Sequence, residues 1–324
     1  MAWSNPELLA LTKSFVPAAD EVWRLQNGDD FECRLFQRFS EEGHYREHAT
    51  TRQGIYVASP SGRFLGSTNS RIPARIAAML RESLERWAEL PPESRGLNDA
   101  ERKELRETWR WSDAYPTDGL VLEVITRDLP RDGDPGSARR NTGETDRERL
   151  AQWTDGAWNR DYAWFKRDEA RRFVPAEPEV GARHRPPQDL VERLVRFHLV
   201  DCVRGQTIPY ESEHVARAEL DVEVRAVTDA HVDLALSGGT RAVVAKREYP
   251  RRFETVWTGT ARFDRASGRF VAFELVATGE REGHTRFNQR KDDRGPAPIG
   301  VVLRLAAPDA PRVAPTWVYR YGWR

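Results

Sequence analysis

Cysteine and histidine side chains give the chain its first candidates for chemistry, because they supply nucleophiles, bases and metal ligands near neutral pH. Cys33 is predicted in the first turn of a helix over residues 31–42. The helix dipole and the free N–H groups of that turn favour a thiolate. Cys33 is therefore a candidate catalytic thiol, and the competing interpretation is a cysteine that packs in the core beside Phe31 and Phe36.

His44 and His48 form a candidate metal site, because a spacing of four residues places two imidazoles on one face of a helix. Gly43 directly before His44 argues that the preceding helix has already ended. The alternative is a plain surface loop. If a metal is bound here or elsewhere in the chain, zinc or copper is the cofactor that these ligand types favour.

His198 and Cys202 are also four residues apart, and they fall in a helix predicted from Asp189 to about Arg204. The same helical line carries Leu190 and Leu194, so both polar groups are expected on the buried face. An imidazole within reach of a thiol can act as its base, which makes the pair a candidate catalytic site. Both residues could instead be ordinary core residues.

An aromatic segment supplies the candidate substrate-binding residues, because Trp158, Tyr162 and Trp164 alternate with Arg160 and Asp161. Aromatic faces together with carboxylates can form a groove that stacks on a sugar-like or peptide-like ligand. The alternative is an amphipathic helix that docks between domains.

Composition restricts the classes of partner. The chain has 324 residues, with 51 Lys and Arg balanced by 51 Asp and Glu. A net charge of zero argues against a nucleic-acid partner and against binding to a membrane surface. Two cysteines cannot build a disulfide framework, and no apolar run reaches the roughly 20 residues of a membrane helix. We therefore expect a soluble, cytoplasmic protein that binds a small molecule or a peptide.

Local patterns predict the elements that position these residues. A hairpin is predicted around Ser59–Gly62, followed by a helix from Pro73 to Trp87. In the last third, apolar residues alternate with polar ones, as at Leu220, Val222 and Val224. This period of two predicts an antiparallel sheet, either strongly curved or closed into a partial barrel.

The order of elements over residues 4–88 resembles a thioredoxin-like fold. The segments that carry the resemblance are Asn5–Pro17, Gly54–Leu65 and Ile72–Trp87, about a quarter of the chain. The chain departs from that family in having no Cys-x-x-Cys, and Thr50–Gln53 stands where such domains place a cis-proline. The resemblance therefore implies a scaffold and not dithiol exchange.

Together these patterns predict an α+β or α/β protein of two domains. A thioredoxin-like domain over residues 1–92 and a connecting region over 93–205 precede an antiparallel β domain over 206–324. The first functional hypothesis is a thiol- or metal-dependent enzyme, or a redox-type protein, with a pocket between the two domains. The second is a non-catalytic module that binds a ligand or a peptide.

Overall fold

The computed structural model describes residues 5–20, 22–45, 51–131, 157–245 and 248–323. The chain divides into two compact units, Met1–Arg110 and Trp111–Arg324, which we call unit 1 and unit 2. This division differs from the boundaries predicted from the sequence, which lie at residues 92 and 205. Two strands of the predicted connecting region, over residues 120–128 and 158–165, belong to the large sheet of unit 2.

Unit 1 contains helices around one antiparallel hairpin. Asn5 begins the first helix by accepting hydrogen bonds from the N–H groups of Glu7 and Leu8, and Pro6 is suited to the first helical position. Leu8, Leu65, Ile76 and Leu80 meet in its apolar core. Its elements are α1 (Pro6–Thr12), α2 (Val22–Asn27), α3 (Phe31–Ser40), β1 (Ile55–Ala58), β2 (Phe64–Thr68), α4 (Pro73–Glu89) and α5 (Asp99–Glu107).

The hairpin predicted around Ser59–Gly62 and the helix from Pro73 are confirmed as β1–β2 and α4. The wider thioredoxin-like resemblance of residues 4–88 stays a prediction.

Unit 2 is built on an eight-stranded antiparallel sheet in the order β4-β3-β10-β9-β8-β7-β6-β5. The antiparallel sheet predicted for the last third is confirmed. Within the described residues the sheet is open, because β4 and β5 stand at its two ends. Its elements are β3 (Leu120–Asp128), β4 (Trp158–Phe165), α6 (Arg167–Arg171), β5 (Arg183–His184), α7 (Gln188–Phe197), β6 (Val215–Val227), β7 (His231–Val244), β8 (Arg251–Asp264), β9 (Arg269–Gly283) and β10 (Ala297–Leu305).

The core of unit 2 lies between the sheet and α7. Alternate residues of the long strands point into it, as the period of two requires, and Leu220, Val222 and Val224 are at most 2% exposed. Leu190 and Leu194 of α7 pack against them. A second apolar cluster joins Trp164 of β4 to the segment 306–323, which we call the C-terminal segment.

The helix predicted to continue to Arg204 ends at Phe197. The N–H groups of His198 and Leu199 both donate to the carbonyl of Leu194, which closes the last turn. The prediction that His198 and Cys202 share one helical face is therefore wrong. Beyond the helix, the chain buries Val200 and brings the side chain of Asp201 to Arg290.

Among the described helices, none has both the length and the apolar character needed to cross a membrane.

Candidate functional site

Cys33 lies in the first turn of α3, as predicted, but its environment keeps the thiol protonated. Its Sγ donates to the carbonyl of Arg24 at 3.5 Å and lies 3.4 Å from the guanidinium of the same residue. Burial and the neighbouring Asp30 raise the pKa of Cys33 to about 11. A protonated thiol is a poor nucleophile at neutral pH.

His44 is exposed, and both of its ring nitrogens are occupied by protein groups. Its Nδ1 lies 2.8 Å from Ser67 Oγ, and its Nε2 lies 3.1 Å from the carbonyl oxygen of Gln53. His48, its predicted partner, falls outside the described residues. Among the described residues no group of three or more His, Cys, Asp or Glu could hold a metal ion, so the proposed zinc or copper site has no support there.

His198 lies at the end of α7 and is 2% exposed. Its Nε2 is 2.6 Å from the hydroxyl of Tyr321. Its Nδ1 is 3.3 Å from Asp161 Oδ2, an ion-pair distance without hydrogen-bond geometry. Burial raises the pKa of Tyr321 well above its usual range, so this hydroxyl keeps its proton and can donate it to Nε2. The arrangement ties the C-terminal segment to α7 and β4.

Cys202 lies beyond the helix, and Asn159 donates to its sulfur at 3.2 Å. Burial and the carboxylates of Asp161 and Asp201 raise the pKa of Cys202 to about 12. This thiol is also protonated at neutral pH, and the same carboxylates would oppose a thiolate.

A buried network of charged side chains surrounds Asp201, the residue directly before Cys202. Arg290 is fully buried and forms ion pairs with Asp128 at 2.5 Å, Asp201 at 2.9 Å and Asp293 at 3.2 Å. Arg204 pairs with Asp128 and Asp293, and the buried Arg281 pairs with Asp293. We call these six residues the charge network: Asp128, Asp201, Arg204, Arg281, Arg290 and Asp293.

Beside the network a narrow cleft is lined by Asp201, Tyr210, Arg251, Glu282 and His284, among others. Its enclosed volume of about 10 Å³ admits one water-sized group. The cleft is therefore too small for a substrate. The ion pairs of Arg290 tie the loop between β9 and β10 to the end of β3 and to the segment after α7.

The predicted aromatic site is divided by the structure. Tyr162 is 4% exposed and Trp164 is 0% exposed, because the C-terminal segment covers them. Trp158 is 54% exposed. The three residues therefore do not form one groove, and only Trp158 can meet a ligand at the surface.

Trp158 belongs to a group of side chains on one face of β4, β3 and β10, in which Trp158 and the arginines are exposed and Glu123 is buried. The guanidinium of Arg160 stacks on the Trp158 ring, 5.5 Å from its centroid. The exposed Arg127 on β3 is the direct cross-strand partner of Trp158. Glu123 pairs with Arg160 at 2.8 Å and with Arg304 at 2.6 Å. We call these five residues, Glu123, Arg127, Trp158, Arg160 and Arg304, the Trp158 patch. Three arginines and one glutamate give it an excess of positive charge.

The backbone beside the patch forms an open sheet edge. Val121 of β3 accepts a hydrogen bond from Ala306 on the β10 side. Trp164, its partner on β4, accepts from Arg193 on the side away from β3. Because backbone groups alternate along a strand, Trp158 and Arg160 also direct their N–H and C=O groups away from β3. Within the described ranges, these groups form no hydrogen bond.

Comparison with protein-family models, with curated proteins and with solved structures found no match.

Sequence reasoning missed Tyr321, Ser67 and Arg127. Tyr321 contacts His198 across 123 positions of sequence, and Ser67 contacts His44 across 23. No local pattern contains such contacts. The one available signal was the density of aromatic residues in Trp317–Trp323, which indicates a docked segment but not its partner.

Proposed function

We propose that unit 2 is a peptide-binding module. In this proposal an extended segment rich in acidic side chains adds to the edge of β4 at Trp158 and Arg160. The observation that carries it is the exposed Trp158, stacked by Arg160 and placed beside an edge with unpaired backbone groups. Addition of a strand to an open edge is a common mode of peptide recognition, in which backbone hydrogen bonds give affinity and side chains give specificity.

The other edge of the sheet supports this choice by contrast. Strand β5 has two residues, and charged pairs line the neighbouring edge, such as Arg185 with Asp221 and Arg217 with Glu219. Short strands and charged side chains are the usual protection of an edge against pairing. The β4 edge presents a tryptophan instead, which is among the residue types that dominate binding energy at interfaces.

The chemistry of the partner follows from the charges of the patch. Glu123 balances one of its arginines, which leaves an excess of two positive charges among Arg127, Arg160 and Arg304. Every second residue of an added strand faces this side of the sheet. A segment that alternates acidic and apolar residues could therefore place a carboxylate near an arginine and an apolar group against Trp158.

The thiol enzyme and the metal enzyme have less support. The raised pKa values of Cys33 and Cys202 disfavour a thiolate in either unit. In unit 2 the buried His198 meets Tyr321 and Asp161, and these contacts hold the C-terminal segment. For unit 2 we therefore prefer the binding module to a thiol- or metal-dependent enzyme.

Binding is tested with a fluorescein-labelled heptapeptide that alternates glutamate and valine, followed by fluorescence anisotropy on the full chain. We expect saturable binding that weakens as salt is added, because exposed charges are screened. Trp158→Ala should raise the Kd at least about tenfold. Trp23→Ala is the matched control, because Trp23 is a similarly exposed tryptophan of unit 1, at 62%.

The Kd of the acidic peptide is compared with that of a second peptide in which lysine replaces glutamate. Preference for the acidic peptide, lost in Trp158→Ala and kept in Trp23→Ala, supports the proposal. Failure of the intact chain to bind the acidic peptide, or equal weakening by both substitutions, overturns it.

A further inference from the structure

Unit 1 contains a serine and a histidine in the arrangement of a nucleophile and its base. Ser67 Oγ lies 2.8 Å from His44 Nδ1. On the opposite side of the ring, Nε2 lies 3.1 Å from the carbonyl oxygen of Gln53. A carbonyl can only accept, so Nε2 carries the proton of the neutral imidazole. Nδ1 is then left to accept the proton of the Ser67 hydroxyl.

We propose that Ser67 is a nucleophile toward activated esters, with His44 as its general base. The three roles that such a site needs are present: a hydroxyl, a base in hydrogen-bond contact with it, and a group that orients the base. The backbone N–H of His44 also donates to Ser67 Oγ at 3.0 Å, which fixes the oxygen beside the ring.

The surroundings hold the ring in place and leave it open to solvent. His44 stacks on Tyr56 with ring centroids 5.1 Å apart, and Tyr56 is the direct partner of Ser67 across β1 and β2. A side chain on Gly54 would overlap the imidazole, and one on Gly43 would come within 3.1 Å of Ser67 Oγ. Glycine at both positions thus makes room for the pair, while His44 itself is exposed.

The reaction needs no reactant other than the ester and water. The Oγ of Ser67 forms a bond to the acyl carbon as its proton passes to His44 Nδ1. The bond between the acyl carbon and the leaving oxygen breaks, and His44 returns the proton to that oxygen. Water then adds to the acyl carbon as one of its protons passes to His44 Nδ1. The bond between that carbon and Ser67 Oγ breaks, the carboxylic acid leaves, and His44 returns the proton to Oγ.

The test uses p-nitrophenyl acetate with the full chain. We expect release of p-nitrophenolate and, by peptide mass spectrometry, an acetyl group on Ser67. Ser67→Ala should remove that modification. His44→Gln keeps a side chain that can hydrogen-bond but cannot take up the proton, and it should slow acetylation at least about 100-fold.

Two controls separate chemistry from structure. Ser237→Ala alters an exposed serine of unit 2 and should react like the wild type. Urea unfolding of each variant shows whether it is folded. Even if one variant unfolds, the site of acetylation in the wild type shows whether Ser67 is the nucleophile. Acetyl groups on lysines alone, or an unchanged rate in folded His44→Gln, would show that Ser67 and His44 are structural.

Discussion

At the scale of single residues, the charge network contains side chains whose burial in ionised form costs much free energy. An ionised side chain without water is stable only when opposite charges and hydrogen bonds surround it. Arg290 satisfies this condition through three carboxylates from separate parts of the chain, Asp128, Asp201 and Asp293. Loss of the guanidinium would leave those carboxylates close together with less compensation.

Arg290→Met should therefore lower the free energy of unfolding by about 3–5 kcal/mol, the range found when one partner of a buried ion pair is removed. Urea unfolding at neutral pH measures the change. Arg217→Gln is the control, because Arg217 and Glu219 form an exposed pair, and pairs of that kind contribute at most about 1 kcal/mol. Equal effects of the two substitutions would contradict the assigned role of the network.

The network also predicts sensitivity to acid. Burial alone would raise the pKa of Asp293, but hydrogen bonds and charges from Arg131 and Arg281 outweigh burial and lower it to about 2. An aspartate in the unfolded chain titrates near 3.9. The stabilisation from Asp293 is therefore complete above about pH 4 and is lost as the pH falls toward 2.

Urea midpoints measured between pH 5 and pH 2 check this sign. The stability of the wild type should fall through that interval. Asp293→Asn removes the titrating group, so its stability should fall less steeply over the same interval. A parallel decline in the two proteins would exclude Asp293 as a source of the acid sensitivity.

At the scale of elements, the docking of the C-terminal segment is the least local feature of unit 2. Tyr321 meets His198, and Trp323 donates to Glu169 at 3.1 Å. Glu169 is bound in turn by Arg193 of α7 through contacts of 2.9 and 2.5 Å. These polar contacts therefore fix the position of the segment more closely than apolar packing alone would.

Tyr321→Phe should lower the free energy of unfolding by about 1–3 kcal/mol, because it leaves the buried Nε2 of His198 without a hydrogen-bond donor. The matched substitution Tyr319→Phe alters a ring that is 51% exposed, where water can replace any contact of the hydroxyl, and should have a smaller effect. Thermal melts of the two variants give the comparison. A larger loss for Tyr319→Phe would argue against the assigned contact.

Sequence patterns predicted elements well and their ends poorly. The period of two in β6 and the proline that begins α4 are local signals, and both led to correct elements. The end of α7 depends on contacts of His198 and Asp201 with Tyr321 and Arg290, which lie 123 and 89 positions away. The same limitation explains the candidate site, where Trp158 was identified but the burial of Tyr162 and Trp164 was not.

At the scale of the whole molecule, each unit has its own apolar core. Leu8, Ile76 and Leu80 belong to the core of unit 1, and a separate set joins the sheet and α7 of unit 2. We expect the fragment 111–324 to unfold cooperatively when it is produced alone. Circular dichroism during heating measures this transition. A fragment that melts without a cooperative transition would show that unit 2 depends on residues 1–110.

The charge network also has a consequence for the order in which unit 2 is assembled. Its members come from the end of β3, the segment after α7, strand β9 and the loop before β10. No single hairpin contains enough of them to compensate Arg290, so its burial becomes favourable only after distant parts of the chain have met. Contacts that form this late slow unfolding more than they speed folding. We therefore expect loss of Arg290 to speed the unfolding of unit 2 more than it slows its folding.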